Sequence, residues 1–205
     1  MDNAKQKDKK EETNRSRKNF KKATFSGRRR KMQKIVQKSK SAPLSSSDLL
    51  HLVRGQQNFL GIFASDELSN LRIVKDTVFF IANLDTAYQS GSHWLAIRIG
   101  RRNVEIFDSL GFDFQLWQSY PKHLLDFLSR YSKSHNFLIS PALQPPNTFT
   151  CGLYCVYFIY FRQRTSFSNC VRTFSRNFEL NNEKLFHYLD KLFWNNNYLL
   201  NLFLD

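Results

Sequence analysis

The stretch that decides the fold is Gln144-Pro145-Pro146-Asn147-Thr148-Phe149-Thr150-Cys151-Gly152-Leu153-Tyr154-Cys155. Its two prolines and its asparagine exclude a regular helix before the first cysteine. The residues that follow, up to Phe161, are apolar nearly all round, which predicts a buried helix that begins near Cys151. A thiol in the first turn of a helix lies at the positive end of the helix dipole, which favours the reactive thiolate. The alternative for a lone cysteine is a small buried core residue.

Two upstream motifs supply a base and an acid: Gly91-Ser92-His93-Trp94-Leu95-Ala96 and Ile106-Phe107-Asp108-Ser109-Leu110-Gly111. We predict that His93 begins one strand of a hairpin and that Asp108 ends its partner. These ends are neighbours in antiparallel pairing, so the imidazole and the carboxylate can meet. Such an acid would orient the imidazole and favour the imidazolium, which in turn favours a thiolate on Cys151. Each residue alone could be structural, as a core histidine or a turn aspartate, but together they indicate a cysteine protease.

Gln144 has a role in the same prediction. Its side-chain amide, with the backbone N–H of Cys151, can hold the oxyanion of a tetrahedral intermediate. The alternative is an exposed loop glutamine. We expect Trp94 and Gly152 to support the site, Trp94 by packing beside it and shielding the ion pair from water.

The charge of the chain is concentrated at its start. Residues 1–40 hold 16 Lys/Arg and 4 Asp/Glu, a net charge of +12, whereas residues 41–205 hold 15 and 13, a net of +2. With few apolar residues, the first part cannot offset its ordering entropy, so we predict a disordered tail over 1–43 and a protease domain over 44–205. Arg28-Arg29-Arg30-Lys31 would bind DNA phosphates without base readout or act as a nuclear-import signal. The alternative is a solubilising tail with no specific partner.

Other features concern the cellular compartment. The N-terminus is polar, so no secretory signal is expected, and the longest apolar run is far too short to span a membrane. An odd number of cysteines, three, suits a reducing compartment. A metal site formed by Cys151, Cys155, Cys170 and a histidine would match no zinc spacing, so no metal is predicted.

The pattern along the chain predicts an α+β architecture, with a small, mostly antiparallel sheet packed between helices. The expected helices are one after Ser45–Asp48 that ends at Gly55, one at Leu116–Tyr131, one from Cys151, and one at Asn182–Phe193 with an extension over Tyr198–Leu204. The expected strands are Thr77–Leu84, His93–Ile99, Asn103–Phe107 and Asn136–Ser140. Asn58–Phe63 is expected to be a loop or short extended piece, and Asp66–Asn70 a turn.

The three motifs resemble those of the adenovirus endopeptidase (adenain) family of cysteine proteases, in the clan of the ubiquitin-like-protein-specific proteases. Gln144 stands seven positions before Cys151, as in adenain. The similarity runs from about Ser45 to the helix Asn182–Phe193. It implies a papain-like or adenain-like fold whose nucleophile, Cys151, begins the central helix.

The resemblance also implies a function. Adenoviruses, Polinton (Maverick) transposons and related viruses encode such proteases, which cleave capsid and core precursor proteins during particle maturation. We therefore expect a monomer in the host nucleus and the virion, with capsid and core precursors as substrates and DNA as a partner of the basic tail. No cofactor is required for the chemistry, although DNA and an activating peptide are expected as stimulators.

Two departures from the family pattern bear on these expectations. The usual acid is Glu, whereas Asp108 is the type found in the ubiquitin-like branch. The stretch Ser132–Leu143 lacks the cysteine that would accept a disulfide-linked peptide. Two alternatives therefore stay open. One is a deconjugating protease for a ubiquitin-like modifier, and the other is a non-catalytic DNA-binding or scaffold protein with a relic protease fold.

Overall fold

The computed structural model describes residues 27–113 and 119–194. Five strands form one sheet in the order β1-β2-β3-β4-β5. The strands are β1 (Phe59–Phe63), β2 (Val78–Asn83), β3 (Trp94–Ile99), β4 (Asn103–Phe107) and β5 (Asn136–Ile139). The helices are α1 (27–38), α2 (Ser46–Val53), α3 (Lys122–Ser129), α4 (Cys151–Arg162), α5 (Phe167–Arg172) and α6 (Phe178–Trp194), and a 3₁₀ helix spans Asp66–Asn70. The α+β prediction is confirmed.

The sheet is antiparallel at its centre and parallel at both edges. β2 pairs with β3 and β3 with β4 in antiparallel register, and the turn between β3 and β4 is closed by the Gly100 amide, which donates to the carbonyl of Asn103 at 2.9 Å. β1 joins β2 and β5 joins β4 in parallel. Parallel neighbours need long crossovers, and the chain supplies them through the 3₁₀ helix and through α3.

Helices cover both faces of the sheet. On one face, α1, α2, α4, α5 and α6 share an apolar core with β2, β3 and β4, in which the rings of Phe107 and Phe158 stack 4.7 Å apart. On the other face, α3 packs through Phe127 against Phe80, with their rings 5.6 Å apart. The sheet therefore lies between two helical layers, as predicted.

The central helix α4 is buried nearly all round. Its residues from Cys151 to Tyr160 are all inaccessible or nearly so. This explains why its sequence is apolar on every side rather than on one stripe, and it places the nucleophile candidate at the centre of the domain.

α1 differs from the predicted disordered tail. Residues 27–38 form a helix, and three of its side chains (Met32, Ile35 and Val36) are buried in the core shared with α4 and α6. The Arg29 Nε also donates to the carbonyl of Phe193 at 3.0 Å. The spacing i, i+3, i+4 of the three apolar residues puts them on one helix face. Packing of this face against the core stabilises the helix, although the segment has few apolar residues. The predicted boundary at residue 43 is therefore wrong for residues 27–43, and residues 1–26 lie outside the described part.

Other differences are local. α3 begins at Lys122 rather than Leu116 because Pro121 stands at its N-cap position, and residues 114–118 are not described. α5 was not predicted, and α6 begins at Phe178, one turn before the expected Asn182. Asn58–Phe63, left open between loop and extended chain, contributes the edge strand β1. The extension over Tyr198–Leu204 lies outside the described residues.

Candidate active site

The ends of β3 and β4 bring His93 and Asp108 together. His93 directly precedes β3 and Asp108 directly follows β4, and Ala96 pairs with Phe107 in the intervening register. The His93 Nε2 lies 2.7 Å from the Asp108 Oδ1, and both side chains are buried. The contact expected from antiparallel pairing is thus present.

Asp108 is held by its backbone as well as by its carboxylate. The Ser140 hydroxyl accepts from the Asp108 amide at 2.8 Å and donates to the Asp108 carbonyl at 2.7 Å. The Asp108 Oδ1 also accepts from the Leu110 amide at 2.9 Å. The turn continues through Gly111, whose φ of +85° and close approach to Ala142 leave no room for a side chain. Asp108 therefore has little freedom to turn away from His93.

Cys151 is the first residue of α4 and adjoins His93. The thiol lies close enough to the imidazole to act on its pKa. Burial alone would lower the pKa of His93, but Asp108 and Cys151 together raise it to about 9. Both partners therefore favour the imidazolium form of His93.

The other two cysteines are buried in the core, and for Cys155 the charges of Cys151 and Asp108 act in the same direction as burial. Burial raises the pKa of Cys155 well above that of an ordinary thiol, and it raises the pKa of Cys170 to about 12. All three cysteines are free thiols. Cys151 is therefore the thiol with a base beside it, and the other two are inert core residues.

Gln144 is buried in the loop before Cys151, not exposed. The Ser109 hydroxyl donates to its Oε1 at 2.7 Å, and its Nε2 donates to the carbonyl and the hydroxyl of Thr148 at 2.8 and 3.0 Å. Its backbone amide donates to the Ser109 carbonyl at 2.8 Å. The amide is thus oriented with its oxygen toward Ser109 and its N–H groups toward the loop that carries the cysteine.

The two supporting residues have defined contacts. The Trp94 Nε1 donates to the Leu44 carbonyl at 2.8 Å, which fixes the indole on the segment that leads into α2. A Cβ on Gly152 would lie 2.9 Å from the Leu49 Cδ2. Glycine is therefore required for α2 to pack against the first turn of α4.

Sequence reasoning missed several residues that hold the site. Ser109 and Ser140 orient Gln144 and Asp108, and two asparagines of α6 hold the nucleophile loop. The Asn181 Nδ2 donates to the Leu143 carbonyl at 2.9 Å, and the Asn182 Oδ1 accepts from the Thr150 hydroxyl at 3.0 Å. Ser109 could have been found from its place beside Asp108, whereas the asparagines carry no local signal.

The four basic residues predicted to bind nucleic acid lie on the first turns of α1. Arg28, Arg30 and Lys31 are exposed, and Arg29 is partly buried against α6. They belong to the folded domain and not to a free tail.

A groove of about 490 Å³ opens beside the site. Its walls are residues 43–46, the end of β1 with residues 62–64, the 3₁₀ helix at Glu67, and the loop 86–91, and Trp94 also lines it. Within residues 27–113 and 119–194, no cluster of three or more His, Cys, Asp or Glu is arranged to hold a metal ion, and no helix is long and apolar enough to cross a membrane.

One known protein family matches the central part of the chain. The sequence profile of the family described as adenovirus endoprotease matches residues 59–182, more than half of the chain. Among solved structures, the chain is similar to the ASFV pS273R protease, with a TM-score of 0.41, 16% identity, and 72% of this chain and 68% of that chain covered. It is also similar to the C-terminal Ulp1 protease domain from yeast, solved in complex with Smt3, with a TM-score of 0.29, 18% identity and coverages of 69% and 68%. No curated protein sequence matches it.

Proposed function

Because the chain belongs to the adenovirus endoprotease family of cysteine peptidases, we propose that it cleaves capsid or core precursor proteins of a virus or virus-like element by a Cys151–His93–Asp108 triad. The single observation that supports the triad most directly is the buried 2.7 Å contact between His93 and Asp108, and Cys151 lies near enough to act on the same imidazole. The residue types and their order of contact are those that nucleophilic catalysis by a thiol needs.

In this mechanism the Cys151 thiolate attacks the scissile carbonyl carbon and the carbonyl π electrons move to oxygen. The His93 imidazolium then donates a proton to the leaving amine nitrogen as the C–N bond breaks, which leaves a thioester and a neutral imidazole. The imidazole next takes a proton from water as the water oxygen attacks the thioester carbon. The C–S bond then breaks, which releases the carboxylic acid and restores the Cys151 thiolate beside the imidazolium. Asp108 orients the imidazole and stabilises its charged form.

Gln144 and the Cys151 backbone N–H would stabilise the oxyanion. An amide nitrogen carries two hydrogens, and the Nε2 of Gln144 lies within reach of two oxygens of a single residue, Thr148. If one N–H of the amide is shared between the two Thr148 oxygens, the second N–H is left to bind the oxyanion of the substrate. The Ser109 hydroxyl holds the amide oxygen, so the amide nitrogen is the end that faces the loop carrying Cys151.

Covalent trapping tests the proposed nucleophile. The full chain would be incubated with a glycyl-glycine vinyl sulfone and the modified residue located by mass spectrometry. We expect labelling of Cys151 alone, because Cys155 and Cys170 are buried and have raised thiol pKa values. Labelling should be lost in His93→Ala and unchanged in Cys155→Ser. Labelling that is indifferent to His93 would refute the triad and favour the relic scaffold.

A deconjugating protease for a ubiquitin-like modifier is the second candidate, favoured by aspartate rather than glutamate at position 108. The two candidates differ in substrate. A flexible peptide is enough for a maturation protease, whereas a deconjugating enzyme gains most of its affinity from a folded modifier. Comparing kcat/KM for a free peptide and for the same peptide at the C-terminus of a ubiquitin-like domain separates them, and a large gain from the folded domain would favour deconjugation.

We further propose that the basic N-terminal region binds DNA in the host nucleus and in the virion, and that DNA stimulates cleavage. The exposed Arg28, Arg30 and Lys31 on α1 would add to the charge of the residues before them. Deleting 1–40 would remove the buried face of α1, so the appropriate variants delete 1–26 or change the three exposed residues to Gln. Salt-sensitive DNA binding should weaken in both variants while peptide cleavage without DNA stays unchanged, and unchanged DNA binding would contradict the proposal.

An activating peptide and the monomeric state belong to the same proposal. If a peptide stimulates this chain, it does so without a disulfide to the stretch Ser132–Leu143, which has no cysteine. Sedimentation at several protein concentrations would test the monomer.

A further inference from the structure

One residue of the groove, Leu44, also borders the first turn of α4. The Leu44 carbonyl accepts from Trp94, the residue after His93. The Leu44 Cδ1 also lies 3.5 Å from the point where a Cβ on Gly152 would be, next to Cys151. A peptide with its scissile carbonyl at Cys151 would therefore continue into the groove.

The part of the groove formed by the end of β1, the 3₁₀ helix and the loop after β2 is held together by hydrogen bonds from backbone amides. The Ala64 amide donates to the Glu67 Oε2 at 2.7 Å, and the Ala87 amide donates to the Asp66 Oδ1 at 2.9 Å. The Ser65 amide donates to the carbonyl of Asp85 at 3.0 Å. These bonds join the end of β1, the 3₁₀ helix and the loop after β2, so the groove is formed before a substrate arrives.

The charge of the groove is opposite to that of the chain. The chain has a net charge of +14, yet the residues that line the groove include no Lys or Arg and a single charged residue, Glu67. The Glu67 side chain is exposed, and a carboxylate that accepts one backbone bond keeps capacity for further donors. Ile62 and Phe63, at the end of β1, also line the groove. As neighbours in a strand they face opposite sides of the sheet, Ile62 toward the core of α4 and Phe63 toward that of α3.

We propose that this groove binds the substrate residues on one side of the scissile bond and that Glu67 selects a lysine or an arginine among them. The aliphatic stem of such a residue packs on the apolar end of β1, and its charged head reaches the Glu67 carboxylate. Glu67 is here a specificity-determining residue. The inference rests on the proposed function in one respect: cleavage at Cys151 defines the substrate residues that enter the groove as those on one side of the scissile bond. Peptide binding in the groove and its selection by Glu67 do not depend on cleavage.

Binding tests the selection separately from cleavage. The probes would be fluorescent peptides of about ten residues, identical except that one position at a time holds Lys, norleucine or Glu. The protein would be the full chain with Cys151→Ala, alone and combined with Glu67→Gln, Glu67→Lys or, as a control outside the groove, Glu183→Gln. Gln at position 67 keeps an oxygen for the Ala64 amide and removes only the charge, so the wall is expected to stay folded.

We expect tighter binding of the Lys peptide than of the norleucine peptide at one position, by about twofold to fivefold, as for other exposed ion pairs. Glu67→Gln should abolish the difference, Glu67→Lys should reverse it in favour of Glu, and Glu183→Gln should leave it intact. About 0.5 M NaCl should reduce it by screening. A preference for Glu peptides in the unmodified groove, as the net charge alone would give, or a Lys preference that survives Glu67→Gln, would overturn the proposal.

Cleavage by the chain with Cys151 intact distinguishes the two ideas. If the Lys preference depends on Glu67 but no peptide is cut, the groove selects as proposed and the proposed function fails. If peptides are cut with equal kcat/KM for Lys, norleucine and Glu at every position, the peptidase stands and the role of Glu67 is refuted.

Discussion

The β3–β4 hairpin and the helix α4 carry two buried ionic clusters, one at each end. At the N-terminal end of α4, His93 and Asp108 meet Cys151. At the C-terminal end, Glu105 is fully buried and accepts from the Arg98 Nη1 at 2.7 Å and from the Arg162 Nε and Nη2 at 2.7 and 2.8 Å.

The two clusters differ in whether a proton can move. Arginine stays charged at any accessible pH, so the carboxylate of Glu105 has permanent partners and the cluster can only hold the sheet against α4. Histidine can gain and lose a proton at an accessible pH, so the cluster at Cys151 can take part in proton transfer. The same hairpin and helix therefore give a structural cluster or a reactive one according to the residues at their ends.

The largest expected effect separates activity from stability. Cys151→Ala should reduce kcat by about 10⁴-fold or more, as for other nucleophile deletions, and should leave the thermal midpoint nearly unchanged. Cys155→Ala, one helical turn further on, should do the reverse, with activity kept and about 1 kcal/mol of stability lost from a small cavity. Peptidase assays and thermal unfolding of both variants would check this. Loss of activity in Cys155→Ala would contradict the prediction that Cys155 contributes to stability alone.

At the other cluster, Glu105→Gln should cost stability rather than chemistry. Two arginines would be left without their counter-charge, a loss of about 3–5 kcal/mol for a buried pair broken on one side. Urea unfolding would measure it, with kcat per folded molecule retained. The exposed pair Arg101–Asp76 is the control, since Arg101→Gln should change the unfolding free energy little. Equal effects of the two changes would show that burial of Glu105 does not matter.

The pH dependence sharpens the contrast between a titrating and a permanent cluster. The pKa of His93 rises from 6.5 in the unfolded chain to about 9 in the fold. Its stabilising effect is complete below about pH 6.5 and is lost as the pH rises through about 9. The alkaline limb of kcat/KM should fall near the same pH, because the imidazolium must protonate the leaving amine.

Asp108→Asn tests whether His93 is the group that titrates on the alkaline side of the kcat/KM profile. Without the carboxylate, burial is no longer offset and the pKa of His93 should fall, so the limb should move to lower pH. Glu105→Gln should not move it. If kcat/KM falls at the same pH in Asp108→Asn, a group other than His93 titrates there.

The smallest expected effect concerns the orientation of Gln144. Ser109→Ala removes the hydroxyl that donates to the Gln144 Oε1 and should lower kcat by about twofold to tenfold, the value of one hydrogen bond. Gln144→Ala should cost about a hundredfold if the amide binds the oxyanion. If Ser109→Ala lowers kcat only through Gln144, it should have no further effect in the Gln144→Ala background, which steady-state kinetics on the double variant would measure.

Much of the fold was predictable because its signals are local. The runs of β-branched and aromatic residues predicted β2, β3 and β4, and antiparallel geometry then predicted the contact of His93 with Asp108. The apolar run after Pro146 predicted a buried helix from Cys151. α1 was missed because its basic composition outweighed a stripe of three apolar residues, and the burial of Glu105 was missed because its two partners lie on different elements.

The sequence by itself determined the candidate catalytic groups and their local setting. A cysteine at a helix start, and a histidine and an aspartate at paired strand ends, follow from short-range patterns. Only the tertiary structure decided what holds them: the contact of Ser140 with Asp108, of Ser109 with Gln144, of α6 with the nucleophile loop, and of α1 with the core. These contacts join residues distant in the chain, and their energy arises only when packing removes water from both partners. No local pattern contains that information.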